Sequence, residues 1–280
     1  MKVFKEPGKL QKWCMERRLA GAKIALVPTM GALHAGHLSL IAEAKRRGAD
    51  EIVVSVFVNP VQFGPNEDYD KYPRDEKADL AKCRKAGATA IFFPTPANMY
   101  LDGHSVYVNE ESLSKGLCGA RRPGHFRGVC TVVAKLFNLA HPNFAVFGQK
   151  DFQQAAIIRR MVRDLNFDLD VVVSPIVREE SGLALSSRNA YLSETEKESA
   201  LALSAALAAA KDDVGTYGEI EWKTYRQNIS RFLRKANLKV DYVEAVDAET
   251  LEPVTVLKKG VAILLAVYDG ATRLIDNSVM

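Results

Sequence analysis

The sequence is short of several things at once. It has only four cysteines, Cys14, Cys83, Cys118 and Cys130, with no C-x-x-C spacing. That excludes a cysteine zinc site and a disulfide framework, and the four read as reduced cytosolic thiols. The longest alanine-rich run, Ala200 to Ala210, is too short for a membrane span and contains Ser204. The opening MKVFKEPGKLQKW holds no apolar core of the kind an export signal carries, so the expectation is a cytoplasmic protein. Neither sign of charge dominates: the net charge is +4, too mild to argue for nucleic acid but tolerant of an anionic substrate. No G-x-x-x-x-G-K-[ST] occurs, which removes the P-loop class, and no G-x-G-x-x-G follows a strand, which removes the usual dinucleotide fingerprint. Repeats and low-complexity tracts are also missing.

What is there is an ordinary globular composition, 48% hydrophobic and 26% charged, long enough at 280 residues for two domains. One stretch organises the rest, KIALVPTMGALHAGHLSL from Lys23 to Leu40. Ile24 to Val27 is a short apolar run suited to a buried strand, and Pro28 is expected to end it because it cannot donate to a ladder. Leu38, Leu40, Ile41 and Ala44 then recur at helical spacing, so a helix is expected to start near His37 and run to about Arg47. Strand, glycine turn and helix N-terminus form a ready phosphate site, with His34 and His37 as side-chain donors at its mouth. A zinc pair is the rival reading of H-A-G-H, but no H-E-x-x-H or cysteine cluster supports it.

Leu10 to Leu19 reads as a helix ahead of that stretch. After it, Glu51 to Val58 reads as a second buried strand, ending at Asn59-Pro60 and a loop to Pro73, which makes a βαβ unit. A charged helix is predicted over Asp75–Ala86, a short strand over Ala90–Phe93 and an outer strand over Ser105–Asn109. Arg121–Gly128 reads as a loop and Val129–Ala140 as an amphipathic helix. Phe144–Phe147, Asp151–Leu165 and Leu169–Val173 form a second strand–helix–strand. Near Pro175 the texture changes. Helices over Thr195–Asp212 and Glu219–Ala236, then β-like runs over Val240–Val246, Pro253–Leu257 and Ala262–Tyr268, describe a small α+β domain. The domains are therefore expected at residues 1–179 and 180–280.

Three further constellations fall at strand ends or in loops. Asn59 and Gln62 in FVNPVQFG offer uncharged amides at the C-terminal edge of a parallel sheet, where ligands bind. Gly148, Gln149, Lys150 and Asp151 open a helix, with Lys150 able to set a point charge against phosphates and Gln154 one turn on. Leu185, Ser186, Ser187, Arg188 and Asn189 form a polar loop able to close over a triphosphate. Among the acidic residues from Glu67 to Asp79, Asp79 is the first choice for Mg²⁺, although sequence does not pick metal ligands.

Taken together, PTMGALHAGH, FVNPVQF, RPGHFRGV, FGQKDFQQ and GLALSSRN resemble the pantothenate synthetase (pantoate–β-alanine ligase) family, in the family's order. The resemblance implies a Rossmann-like parallel-sheet domain of the nucleotidyltransferase/HIGH superfamily with a smaller α+β C-terminal lid. It implies a ligase that activates (R)-pantoate with ATP as pantoyl adenylate and releases diphosphate. β-Alanine then displaces AMP. It further implies Mg²⁺, a cytoplasmic homodimer, and neither a nucleic-acid partner nor a membrane. Carried over by motif, Met30, Gly31, Ala32, Leu33, His34, Ala35, Gly36 and His37 match the first ATP block, with His37 as proton donor. Gly148, Gln149, Lys150 and Asp151 match the second, and Val177, Leu185, Ser186, Ser187 and Arg188 complete the ATP contacts. Gln62 and Gln154 match substrate-binding glutamines for pantoate and β-alanine. A nucleotidyltransferase releasing a dinucleotide-like product is the nearest rival. An RNA-binding module using the basic stretch Lys223–Lys239 is a rival of another class.

Overall fold

The computed structural model describes residues 1–65 and 67–280, so residue 66, in the loop expected between Asn59 and Pro73, lies outside the described residues. The chain divides into two compact units, Met1–Gly148 with Gln154–Pro175, and Gln149–Gln153 with Ile176–Met280.

Among the described residues the first unit is built on a six-stranded sheet. Its strands are β1 (Lys2–Phe4), β2 (Ile24–Thr29), β3 (Glu51–Val56), β4 (Ala90–Phe92), β5 (Phe144–Gly148) and β6 (Asp170–Ser174). They lie in the order β1-β4-β3-β2-β5-β6, and every neighbouring pair is parallel. The chain steps outward from β2 to β3 and β4, then crosses back to β5 on the other flank of β2. The strand order reverses between β2 and β5, and ligands bind outside strand C-termini at such a reversal. This is the Rossmann-like parallel sheet the sequence leads one to expect. The connecting helices are α1 (Pro7–Leu19), α2 (Ala35–Arg46), α3 (Glu76–Ala86), α4 (Pro96–Met99), α5 (Leu117–Arg121), α6 (His125–Ala140) and α7 (Phe152–Asp164). Ala25, Val27, Ile52 and Val54 of the central strands pack with Leu40, Ile41 and Ala44 of α2 and Cys83 of α3 in one core. Burying each of the larger side chains there contributes about 1.5–3 kcal/mol.

Four expectations about this unit give way. Pro28 does not end β2, which runs on to Thr29. The pairing of β2 with β5 covers only Ala25 and Leu26, so the proline nitrogen lies beyond the ladder that would need its proton. On the β3 side, Thr29 donates its hydroxyl to the Ser55 carbonyl at 2.7 Å. Helix α2 begins at Ala35, two residues before His37, because His34 caps it. Residues Ser105–Asn109 form no strand. The Val108 N–H goes to the Thr131 hydroxyl, and the Arg127 guanidinium covers the Tyr107 ring at 3.7 Å. Finally, Gly128 lies inside α6 rather than in a loop. A Cβ there would meet the Val61 carbonyl oxygen at 2.5 Å and Gln62 Cα at 2.6 Å, so glycine is what lets the helix lie against the single turn Pro60–Gln62.

The second unit holds α8 (Glu194–Tyr217) and α9 (Trp222–Lys235) against an antiparallel sheet. A short pair, β7 (Ile220–Glu221) and β9 (Val256–Leu257), stands apart from three strands in the order β11-β10-β8. These three are β8 (Lys239–Asp247), β10 (Val261–Asp269) and β11 (Thr272–Val279). Ser193 and Glu196 start α8 with a reciprocal cap: the Ser193 N–H donates to the Glu196 carboxylate at 2.8 Å, and the Glu196 N–H to the Ser193 hydroxyl at 3.3 Å. Ala200, Ala206 and Ala210 are buried along α8, so small side chains set its close approach. Sequence periodicity missed β11, because Asp276 and Asn277 interrupt its apolar alternation although both are buried. In α9, Trp222, Ile229 and Leu233 are buried while Arg226 pairs with Glu244 at 2.7 Å, so the basic stretch is the outer side of a packed helix.

All four cysteines are buried free thiols. Burial pushes the thiols of Cys14, Cys83 and Cys130 up to about 12, which leaves them unreactive near neutral pH. Among the described residues no helix is long and apolar enough to cross a membrane.

The Gly128 contact makes a simple prediction. Gly128→Ala should lower stability by about 1–3 kcal/mol, the usual cost of overpacking. Urea unfolding measures it, and an unchanged midpoint would mean that α6 moves aside freely.

Candidate active site

The turn between β2 and α2 is shaped from behind by α3. Gly31 has φ +90°, and a Cβ there would sit 2.9 Å from Val56 Cγ1 and 3.0 Å from Asp79 Oδ2, so neither the backbone nor the space admits a side chain. Ala32 follows at φ +49°. The Asp79 carboxylate, 1% exposed, accepts the Ala32 N–H at 3.0 Å on one oxygen and the Leu33 N–H at 2.8 Å on the other. One helical turn on, Lys82 donates to the Leu33 carbonyl at 2.6 Å. Burial holds the Asp79 carboxyl above its ordinary value against these bonds. Both of its oxygens serve the turn, so the residue preferred from sequence for Mg²⁺ does not fit a direct metal ligand. Among the described residues no group of three His, Cys, Asp or Glu could hold a metal ion.

The two histidines are fixed by their ring nitrogens. His34 Nδ1 accepts the Gly36 N–H at 3.2 Å, His37 Nδ1 accepts the His34 N–H at 3.3 Å, and the rings lie 4.1 Å apart. A nitrogen that accepts carries no proton, so each neutral ring bears its proton on Nε2. Both imidazoles are thereby donors without needing a positive charge. The backbone supplies less than the motif suggests. The N–H groups of Ala32 and Leu33 go to Asp79, that of Gly36 to His34, and those of His37 and Leu38 to the His34 carbonyl. What the turn offers an anion therefore lies in its side chains more than in a bare helix N-terminus.

Gln62 joins the same neighbourhood. Its amide NH₂ donates to Met30 Sδ at 3.1 Å, while its carbonyl oxygen accepts from Asn59 Nδ2 at 3.0 Å. Asn59 is 1% exposed and cannot flip. Its NH₂ also donates to the Gly128 carbonyl at 3.2 Å, and its oxygen accepts the Tyr100 hydroxyl at 2.8 Å and the Val61 N–H at 3.3 Å. That fixes which end of Gln62 is the donor. A thioether is a weak acceptor, so the Gln62 NH₂ can exchange it for a stronger one.

Behind Gln62 lies a set to which the sequence motifs assign no role. His125 Nδ1 bonds the Gln62 main-chain carbonyl at 2.8 Å, and its Nε2 lies 3.0 Å from Arg122 Nη1. A carbonyl only accepts, so Nδ1 carries the proton and Nε2 accepts from the guanidinium. Arg122 also grips Glu67 through two bonds of 2.6 Å. Burial works to raise the Glu67 carboxyl, but the Arg122 hydrogen bonds and charge outweigh it and hold it below its ordinary value. The only sequence signal for this set is R-P-G-H itself.

In the second unit, the loop that sequence reads as flexible is tied at its base. The Leu185 N–H donates to the Val177 carbonyl at 3.0 Å, and Arg178 and Ala184 form an antiparallel bridge. Buried Asn189 donates to the Ala184 carbonyl at 3.1 Å, and the Ser186 hydroxyl accepts the Arg188 N–H at 3.2 Å. Gln149, Lys150 and Asp151 make a single helical turn in this same unit, whereas Gly148 and Gln154 belong to the first.

Fold and turn together describe an α/β enzyme with two imidazoles and a glutamine amide at the C-terminal edge of a parallel sheet. A family model described as pantoate-beta-alanine ligase matches residues 2–279. Pantothenate synthetase of Clostridium novyi (strain NT) is 52% identical over 270 residues, 96% of this chain and 94% of that protein. The crystal structure of pantothenate synthetase from Thermus thermophilus superposes with a TM-score of 0.92 at 42% identity, covering 100% and 99% of the two chains. Pantoate-beta-alanine ligase from Francisella tularensis, solved with beta-gamma ATP and beta-alanine, superposes with a TM-score of 0.81 at 32% identity, covering 100% and 97%. The chain belongs to the pantoate-beta-alanine ligase family.

The Arg122–Glu67 pair carries a pH signature. Glu67 has its folded pKa depressed, so its contribution is present above the ordinary value of 4.5 and is lost as pH falls through the folded value. Glu67→Gln should cost roughly 1–3 kcal/mol at pH 7, and that deficit should shrink on acidification below 4.5. Denaturant unfolding of both proteins between neutral and acid pH checks this. A deficit that stays constant across the range would refute it.

Proposed function

We propose that this chain joins (R)-pantoate to β-alanine in two steps. In the first, a pantoate carboxylate oxygen attacks the α-phosphorus of ATP. The bond to the bridging oxygen breaks, diphosphate leaves, and pantoyl adenylate remains. In the second, the β-alanine amine attacks the acyl carbon, the acyl–oxygen bond breaks, AMP leaves and the amine gives up a proton. The products are pantothenate, AMP and diphosphate.

The observation that carries this reading is the pair of imidazoles at the start of α2, each with Nδ1 occupied as an acceptor. Neutral Nε2–H donors suit a reaction that brings two anions together, because they stabilise charge on phosphate oxygens with little reorganisation. In this reading Met30–His37 of the first unit contact ATP, with His37 donating to the phosphates. Gly148, and in the second unit Gln149–Asp151, Val177 and Leu185–Arg188, carry the remaining ATP contacts, with Lys150 and Arg188 as cations. Gln62 offers its NH₂ to the pantoate or β-alanine carboxylate, and Gln154 is the second substrate glutamine. Mg²⁺ enters as the magnesium complex of ATP, held largely by phosphate oxygens as this small cation prefers. Residues 1–179 serve as the catalytic domain and 180–280 as the lid. The protein works in the cytoplasm as a homodimer.

Mass spectrometry of products from ATP, (R)-pantoate and β-alanine tests the reading: pantothenate and AMP should appear together. AMP joined into a dinucleotide-like product, or no turnover, would overturn it. His37→Ala and His34→Ala should each slow diphosphate release by about 10²–10³-fold, the usual loss for one oxyanion donor. Their capture of supplied pantoyl adenylate by β-alanine should suffer less, and equal losses in both steps would remove the adenylation role. Gln62→Ala should raise the KM for pantoate more than that for ATP, and the opposite ranking would assign Gln62 to the nucleotide.

A further inference from the structure

The C-terminal strand β11 carries no motif, yet it holds two buried and multiply bonded polar side chains. Asp276 and Asn277 are each 3% exposed. The Asn277 NH₂ donates to the main-chain carbonyls of Gln149 and Lys150, both at 3.0 Å. Its oxygen accepts the Gln149 side-chain amide at 3.2 Å. One side chain therefore pins two successive carbonyls and the Gln149 side chain of a single turn. Asp276 takes Arg178 in a two-pronged pair at 2.7 and 2.9 Å, and one of its oxygens also accepts the Asn277 N–H at 2.8 Å. The same guanidinium donates to the Gly182 carbonyl at 3.1 Å, inside the segment closed by the Val177–Leu185 bond.

We infer that Asn277 is a positioning residue for the nucleotide chemistry, setting the Gln149–Asp151 turn so that Lys150 is aimed, while Asp276 sets the 177–188 segment through Arg178. The inference rests on the reading that these two segments contact ATP. A single helical turn has almost no internal hydrogen bonding to hold it. Two pinned carbonyls supply a further constraint, and an apolar residue at 277 would remove the donor that both share. Neighbouring residues of a strand face opposite ways, which is how two adjacent side chains serve two segments distant in sequence. Neither residue touches substrate in this account. Each acts through the main chain or side chain it holds.

Steady-state kinetics and calorimetric ATP binding on the full chain, wild type against Asn277→Ala, test this. The KM for ATP and the Kd for ATP should rise about tenfold or more, with the KM values for pantoate and β-alanine within twofold. A role in folding alone would lower Tm without that selectivity. Unchanged ATP parameters, or all three KM values rising together, would overturn the inference. Should the alanine variant not fold, Asn277→Ser carries the same measurements, and failure of both to fold would assign Asn277 to stability and also overturn it. The two readings separate cleanly. If the wild type binds ATP but makes no pantothenate, the proposed reaction fails while the calorimetric comparison still tests Asn277. If it makes pantothenate and the variant binds ATP normally, only the positioning role fails. A wild type that binds no ATP defeats both.

Discussion

A carboxylate with almost no contact with water is costly unless its oxygens are bonded, and Asp79 is such a group. Its two acceptors meet two N–H groups of a turn in which Gly31 and Ala32 both have positive φ. The turn and the carboxylate therefore depend on each other. The turn needs the acceptors to hold a conformation that L-residues avoid, and the carboxylate needs the donors to be buried at all. Lys82 closes the arrangement from the same helix by bonding the Leu33 carbonyl. Everything downstream follows from this grip: where His34 stands as the cap, where α2 begins, and how the two imidazoles face one another.

From there the site grows by direction rather than by charge. A hydrogen-bonded chain has a polarity, and in the first unit it can be traced without ambiguity. Carbonyls and backbone N–H groups at its fixed points cannot change roles, so Asn59, Gln62, His34 and His37 each have one end already spoken for. With those ends accepting, the other end of Gln62 and of each imidazole is a donor. Such neutral donors suit the proposed chemistry, because they cost less to bury before a ligand arrives than cations would.

Much of this was legible in sequence, and the reasons for the rest are specific. Apolar runs such as Ile24–Val27 and Ile52–Val54 are buried on both faces, so composition alone reports them. The histidine turn and the glutamine loop are local, and spacing exposes them. What sequence hides is partnership. Pro28 sits in a strand because a ladder ends two residues earlier on the strand beside it. Position 128 is a glycine inside a helix because a turn far before it in the chain, at Val61 and Gln62, leaves no room for a Cβ. Ser105–Asn109 alternates like a strand but finds side chains where a neighbouring strand would be. The sequence reading assigns no element after Tyr268, because in β11 Asp276 and Asn277 are polar for what they hold rather than for exposure.

The link between Asn277 and the Gln149 turn has a meaning in time. The two lie 128 residues apart, and a ribosome moving at about 5–20 residues per second needs roughly 6–25 s to cover that interval. Throughout it, β2, β3 and β5 are already made and can pair, while the turn that follows β5 has been made and its clasp has not. During its own synthesis the chain thus passes through a stage in which the parallel sheet can pair while the Gln149 and Lys150 carbonyls still lack the Asn277 side chain. The strand that brings the clasp also completes the core of the second unit, since Leu274 of β11 is buried in it.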